Sequence, residues 1–286
     1  MTREVGTMLN QFKTVFLLAT ITGLLVAVGG VIGGRTGMVL GLFFGGLANL
    51  FAWWNSDKLV MRMTGAREVP AGSMPELHAM VEELAQRAGI PKPKVLYVDD
   101  PVPNAFATGR SPQRAAVAVT RGLVQTLNER EIRGVLAHEF AHILNRDTLI
   151  SAVAATVAGA ITLIANIAQW AAIMGSSRDE DSNPLAMLAT ALLAPIAAML
   201  IQMAISRTRE YRADRTGAKL SGDPLALASA LERIDAAAKM GARRGFEGPD
   251  PSTAHLMIHS LSLGGIRSLF ATHPPIAERV RLLRSM

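Results

Sequence analysis

The stretch VLAHEFAHILNRD, residues 135–147, sets His138 and His142 four apart with Glu139 directly after the first. An α-helix advances about 100° per residue, so positions four apart differ by only about 40° in azimuth. Both imidazoles can therefore reach one point, and Glu139 projects beside it, able to hold a water. Catalytic zinc takes three protein ligands, keeps a fourth position for water, and lowers that water's pKa to about 7. The same residues also fit a plain helical turn with two surface histidines and an acid, because the HExxH pattern recurs without metal. A third ligand and a suitable fold decide between the two readings.

Around this helix the chain has 286 residues, 50% of them apolar, with a formal charge of +6 and no cysteine. The apolar residues concentrate in four charge-free stretches, 14–34, 36–56, 148–177 and 182–206. Each is long enough for a spanning helix, which needs about 20 predominantly apolar residues. They predict two pairs of transmembrane helices, the first pair over about 14–34 and 37–54. Arg3 and Lys13 precede the first run as they would a signal peptide. The run nevertheless exceeds the ~7–15 residues of a signal core, and a second span follows at once, so it reads as an uncleaved anchor. Gly29 and Gly33, then Gly37, Gly41 and Gly45, recur every four residues, giving small faces that let membrane helices approach. Trp53 and Trp54 end the second stretch, where an interfacial belt belongs.

The positive charge is spread over the flanks of the apolar stretches without a Lys/Arg run, which excludes a nucleic-acid partner. It follows the positive-inside rule instead: the segment after residue 56 is basic, whereas SSRDEDSN between the third and fourth stretches is acidic. Both termini and the polar regions are then cytoplasmic. Without cysteine there are no disulfides or thiolate ligands.

The chain thus divides into an anchor (1–56), a first polar region (57–147), the second apolar pair (148–206) and a second polar region (207–286). Ser73 and Glu76 have capping-box spacing before MPELHAMVEELAQRAG, which Gly89 stops. The short runs KVLYV (94–98), NAFATG (104–109) and RAAVAVT (114–120) predict a small, antiparallel sheet. Asn128 and Glu131 open the helix carrying the histidines. The second polar region is mainly helical, with starts at Asp223-Pro224 and after Pro274-Pro275, and GARRGFEGPDPST is a loop open to self-cleavage. The fold class is an α+β membrane protein: a mainly helical, zincin-like catalytic domain with a small sheet, plus the two helix pairs.

The third ligand comes from elsewhere in the chain, since Asn145 and Thr148 occupy the positions where an extended motif would place Gly and His. SRTREYRAD offers Glu210 and Asp214, again four apart. Glu210 can supply the third bond, and Asp214 can accept a hydrogen bond from a ligand histidine's far nitrogen. Taken alone, this is an exposed charged helix. The histidines lie just before the third apolar stretch and Glu210 just after the fourth, and two crossings return the chain to the side it left.

HEFAH, an apolar pair and then SRTREYRAD resemble the HtpX-type membrane-bound zinc metalloproteases, which are related to the CAAX prenyl endopeptidase. The similarity extends over two N-terminal spans, PNAFATG and the late THPP. It implies His138, His142 and Glu210 as ligands of one Zn2+ per chain and Glu139 as the catalytic glutamate. It also implies ATP-independent cleavage of damaged or misassembled membrane proteins in the bacterial inner membrane, with a cytoplasmic active site.

His273 in ATHPP is the candidate second donor to the tetrahedral oxyanion, or else a histidine packing near a helix start; Arg207 and Tyr211 are weaker candidates. Asn104, Ala105 and Phe106 open an edge strand able to pair with an extended peptide, or are one more strand of the sheet. His255 and His259 share the ligand spacing without a glutamate and line the end of a helix or the groove rather than form a second metal site, and His78 is a surface helix residue. Two rival readings are a catalytically silent scaffold of the same fold, which the intact Glu139 argues against, and a narrow CAAX-type peptidase.

Overall fold

The computed structural model describes residues 2–153, 207–243 and 274–286. The chain opens with α1 (Thr2–Thr64), helical throughout but reversed at Gly34, whose φ is 56°. In a straight helix, residues 18 and 49 would lie more than 40 Å apart at about 1.5 Å per residue. Instead the Asn49 side-chain amide donates to the Leu18 carbonyl at 2.8 Å and to Thr22 Oγ1 at 2.7 Å. Nearer the turn, a Cβ on Gly41 would sit 2.4 Å from the Leu25 carbonyl oxygen. The first apolar pair is thus a helical hairpin in which a glycine face lets the main chains touch. Its second leg runs past residue 56 to Thr64 and exposes Val39, Leu42, Phe43, Phe44, Leu50 and Phe51. Among the described residues, no helix is long and apolar enough to cross a membrane. The third apolar stretch lies outside them beyond residue 153, and the fourth lies wholly outside them.

Four strands follow: β1 (Arg67–Glu68), β2 (Lys94–Val98), β3 (Ala105–Thr108) and β4 (Ala116–Thr120), in the order β1-β2-β4-β3. The antiparallel expectation holds for β3 with β4, but β2 and β4 are parallel; β1, absent from the sequence reading, pairs antiparallel with β2. The short connection 109–115, which holds a 3-10 turn at Pro112–Arg114, makes β3 and β4 a hairpin, and β3 then lies beyond β4 rather than between it and β2. A strand reached by two reversals runs parallel to its start. The strands read as continuous apolar runs because both faces are covered. Val95, Ala105, Ala107, Val117 and Val119 join the main core, whereas Leu96, Phe106, Ala116 and Ala118 pack with Val60 and Ala152 on the other face.

Helix α2 (Pro75–Ala88) covers the main core, stopped by left-handed Gly89. Its N-cap is Met74 with no side-chain bond, so the Ser73–Glu76 capping box does not form. His78 is half-buried, with Nε2 3.1 Å from the Val69 carbonyl. After α3 (Arg121–Thr126) comes α4 (Glu129–Leu144), where Asn128 and Glu131 do form a capping box. Helix α4 is buried from Gly134 to Ala141. It packs against β3, α2, α5 (Arg207–Ser221) and α6 (Pro224–Arg243), while α7 (Ile276–Arg284) closes the core against α5 and α6.

Candidate metal centre

Helices α4 and α5 cross antiparallel with nothing but hydrogen between their main chains at one point. A Cβ on Gly217 would lie 2.8 Å from the His138 backbone nitrogen. Ascending α4 from His138 to His142 corresponds to descending α5 from Asp214 to Glu210. The crossing points both imidazoles and the Glu210 carboxylate at one volume.

The Nε2 atoms of His138 and His142 are 3.2 Å apart. Glu210 Oε2 lies 3.6 Å from His138 Nε2, and its Oε1 lies 3.6 Å from His142 Nε2. Metal bonds of ~2.0–2.1 Å in tetrahedral directions place ligand atoms about 3.3 Å apart, so the spacing fits a His2Glu cage. The far nitrogens are engaged elsewhere. His138 Nδ1 lies 3.0 Å from Asp214 Oδ1, and His142 Nδ1 lies 3.0 Å from Asp147 Oδ2. With Nδ1 donating in each ring, the Nε2 lone pairs face the shared volume, the arrangement that orients metal-ligating histidines.

The charges agree with this. Four buried carboxylates (Glu139, Asp147, Glu210 and Asp214) face two buried guanidiniums, Arg209 and Arg279, with Arg212 at the margin. The negative excess suits a dication. Burial alone would lower the His138 pKa, but hydrogen bonds to Asp214 and Glu210 outweigh it and raise the pKa to about 9. Burial would likewise raise Asp214, yet Arg279 holds it down at about 2. Arg279 is fully buried and grips both Asp214 oxygens, from Nε at 2.8 Å and Nη2 at 2.6 Å. Burial pushes the Glu139 carboxyl up, against the pull of His138 and His142, and the Ala107 backbone N–H donates to it.

That last bond defines the strand edge. The Thr120 amide donates to the Asn104 carbonyl, so by the alternation of an antiparallel ladder Phe106 also pairs with β4, and Ala105 and Ala107 turn their main chain outward. The Phe106 side chain faces away from the centre, packing with Val60. Asn104 is buried, its backbone N–H donating to Thr120 Oγ1. His138, Glu139, His142, Glu210 and Asp214 therefore meet as the sequence predicts. Arg207 is exposed and Tyr211 half-buried. His255, His259 and His273 lie outside the described residues, as does the GARRGFEGPDPST stretch from residue 244, while its first three residues, 241–243, continue α6 rather than open the expected loop. Asp147, Ala107 and Arg279 were not foreseen. For Asp147 the signal was its position five residues after His142, inside the stretch quoted first.

The model of peptidase family M48 matches residues 72–286. The chain is 50% identical over 282 residues to a "Protease HtpX homolog" of Persephonella marina, covering 97% of this chain and 98% of that one. It is 51% identical over 285 residues to another in Ralstonia nicotianae, covering 98% and 97%. The crystal structure of S. mikatae Ste24p shares the fold at a TM-score of 0.50 with 19% sequence identity. That match covers 99% of this chain and 66% of Ste24p. Matched over most of its length, with His138, His142 and Glu210 gathered on the paired helices α4 and α5 at a spacing that could hold a metal ion, the chain belongs to peptidase family M48 and is a metalloprotease.

Proposed function

We propose that the protein is a membrane-integrated zinc endopeptidase that cleaves misfolded or damaged membrane proteins, with its active site on the cytoplasmic side of a bacterial inner membrane. The observation that carries the chemistry is the approach of three ligand atoms to tetrahedral spacing, with Glu139 on the same helix. His138, His142 and Glu210 would hold the ion. Bound there, zinc supplies Lewis acidity and acidifies a water. Glu139 takes the proton of the attacking water and returns it to the leaving amine. Its carboxyl, raised by burial, suits both the accepting and the donating step, and the Ala107 amide fixes where it points. The substrate lies along β3, at the end of the sheet, where Asn104, Ala105 and Phe106 begin the strand and the outward main chain of Ala105, with the Ala107 carbonyl, faces away from β4. His273 is the candidate donor to the oxyanion.

The membrane assignment rests on four charge-free stretches and on the apolar side chains that the hairpin's second leg exposes. The basic segment after residue 56 and the acidic 176–183 loop support the orientation.

The test compares wild type and Glu139→Gln in detergent, with metal quantified in each and cleavage of unfolded casein followed. Zinc in both with cleavage by wild type alone supports the reading. Zinc in both without cleavage by either favours a peptidase of narrow specificity, and no zinc in wild type overturns the ligand set.

A further inference from the structure

We propose that Asp147 is a positioning residue of the metal centre, holding His142 through Nδ1 and tying the centre to both ends of the second apolar pair. The inference rests on the reading of His138, His142 and Glu210 as ligands.

Asp147 lies beyond the end of α4, where a helix residue five places after His142 would ordinarily point away from it. The chain is redirected at Arg146, whose φ of 56° is unusual for a residue with a side chain. The Arg146 amide donates to the Ile143 carbonyl at 3.1 Å, closing the turn. This turn brings Asp147, only 1% exposed, back onto the helix it has just left. Its Oδ2 lies 3.0 Å from His142 Nδ1, and its Oδ1 lies 3.4 Å from Arg212 Nη2 on α5. A left-handed turn at a non-glycine residue is strained and persists where its surroundings hold it. Here it delivers a buried carboxylate to a ligand's second nitrogen.

The simpler account makes Asp147 a helix-start residue, since helix resumes at 147 and an acid suits the positive end of a helix. That account leaves metal affinity unchanged on loss of the His142 contact. The positioning account does not. It also links sequence segments: Asp147 directly precedes the charge-free 148–177, and Arg212 follows 182–206 by six residues. The carboxylate between His142 and Arg212 thus joins the chain's entry into the second apolar pair to its exit, at a metal ligand.

The experiment measures zinc affinity of the full chain in detergent by competition with a chromophoric chelator, and records the visible absorption of the cobalt(II)-loaded form. Asp147→Asn keeps the shape and removes the charge. We expect a 10–100-fold loss of zinc affinity, as for other outer partners of metal ligands, and a shifted cobalt spectrum. Asp147→Glu should recover part of the affinity. Arg212→Gln should weaken it by a few-fold. Wild-type zinc affinity and an unchanged cobalt spectrum in Asp147→Asn would overturn the inference alone. A wild type that binds no zinc would overturn the ligand reading and this inference with it. Should Asp147→Asn fail to fold, Asp147→Glu and Arg212→Gln decide, and full affinity in both counts against positioning.

Discussion

Arg279 reaches Asp214 from 65 residues further along the chain and closes both of its carboxylate oxygens. Neither group is exposed, and Asp214 in turn holds the Nδ1 of His138. The last helix is therefore fastened to a proposed metal ligand through one aspartate.

Removing that arginine strands a buried carboxylate. Breaking one side of a buried pair costs about 3–5 kcal/mol, so Arg279→Met should lower the thermal midpoint sharply. The double change Arg279→Met with Asp214→Asn should recover part of the loss. The pH response follows from the same pair. Asp214 titrates at about 2 when folded, below the ~3.9 of an unfolded aspartate. Its contribution is complete above that unfolded value and is lost as pH falls through about 2. A chemical-denaturation series between pH 5 and pH 2 measures this, and the acid-side slope should shrink in Asp214→Asn.

Metal uptake should also depend on pH, through His138. In the metal-free protein His138 holds its proton up to about pH 9, above the ~6.5 of a free imidazole. Its contribution to metal-free stability is complete below about 6.5 and is lost as pH rises through about 9. An ion must displace that proton, so zinc affinity should rise as pH increases towards 9, with about one proton released per ion at His138. Calorimetry in buffers of different ionisation enthalpy counts the proton. Affinity that is flat between pH 6.5 and 9 would contradict the assignment.

The hairpin makes a separate prediction. A side chain at position 41 would drive into the Leu25 carbonyl, so Gly41→Val should part the two legs. The chain has no cysteine, which allows a clean crosslinking pair at Thr22→Cys and Asn49→Cys, whose native side chains touch at 2.7 Å. Adding Gly41→Val should reduce crosslink yield several-fold, whereas an unchanged yield would mean that the glycine face does not set the approach.

Much of the centre was legible because its logic is local. Two histidines and a glutamate within one helical turn, a cap at Asn128 and an acid pair four apart on another helix are all readable as periodicity. What escaped reading depends on contacts between distant segments. Arg279 sits in a helix with Glu278 and Arg281, and nothing local separates the buried cation from its exposed neighbours. The role of Asp147 needed a left-handed turn at an arginine, which no residue type advertises. The parallel pairing of β2 with β4 depends on β3 lying outside both, a matter of three-strand order rather than any strand's composition. Ser73 had the right spacing for a cap, but the chain placed Met74 at the helix boundary instead.

Gly217 leaves room for only a hydrogen atom between α5 and the backbone of His138. Two of the proposed ligands ride on one of these helices and the third on the other, so the width of the cage is fixed by how closely two main chains can lie. The pair works as a calliper whose jaws are set in the folding of the core, before any ion arrives. Calcium, which prefers six to eight oxygens at ~2.3–2.6 Å, would have to prise the helices apart and find further ligands. Ion choice is thus written into the packing of α4 on α5 as much as into the imidazoles and carboxylate that line it.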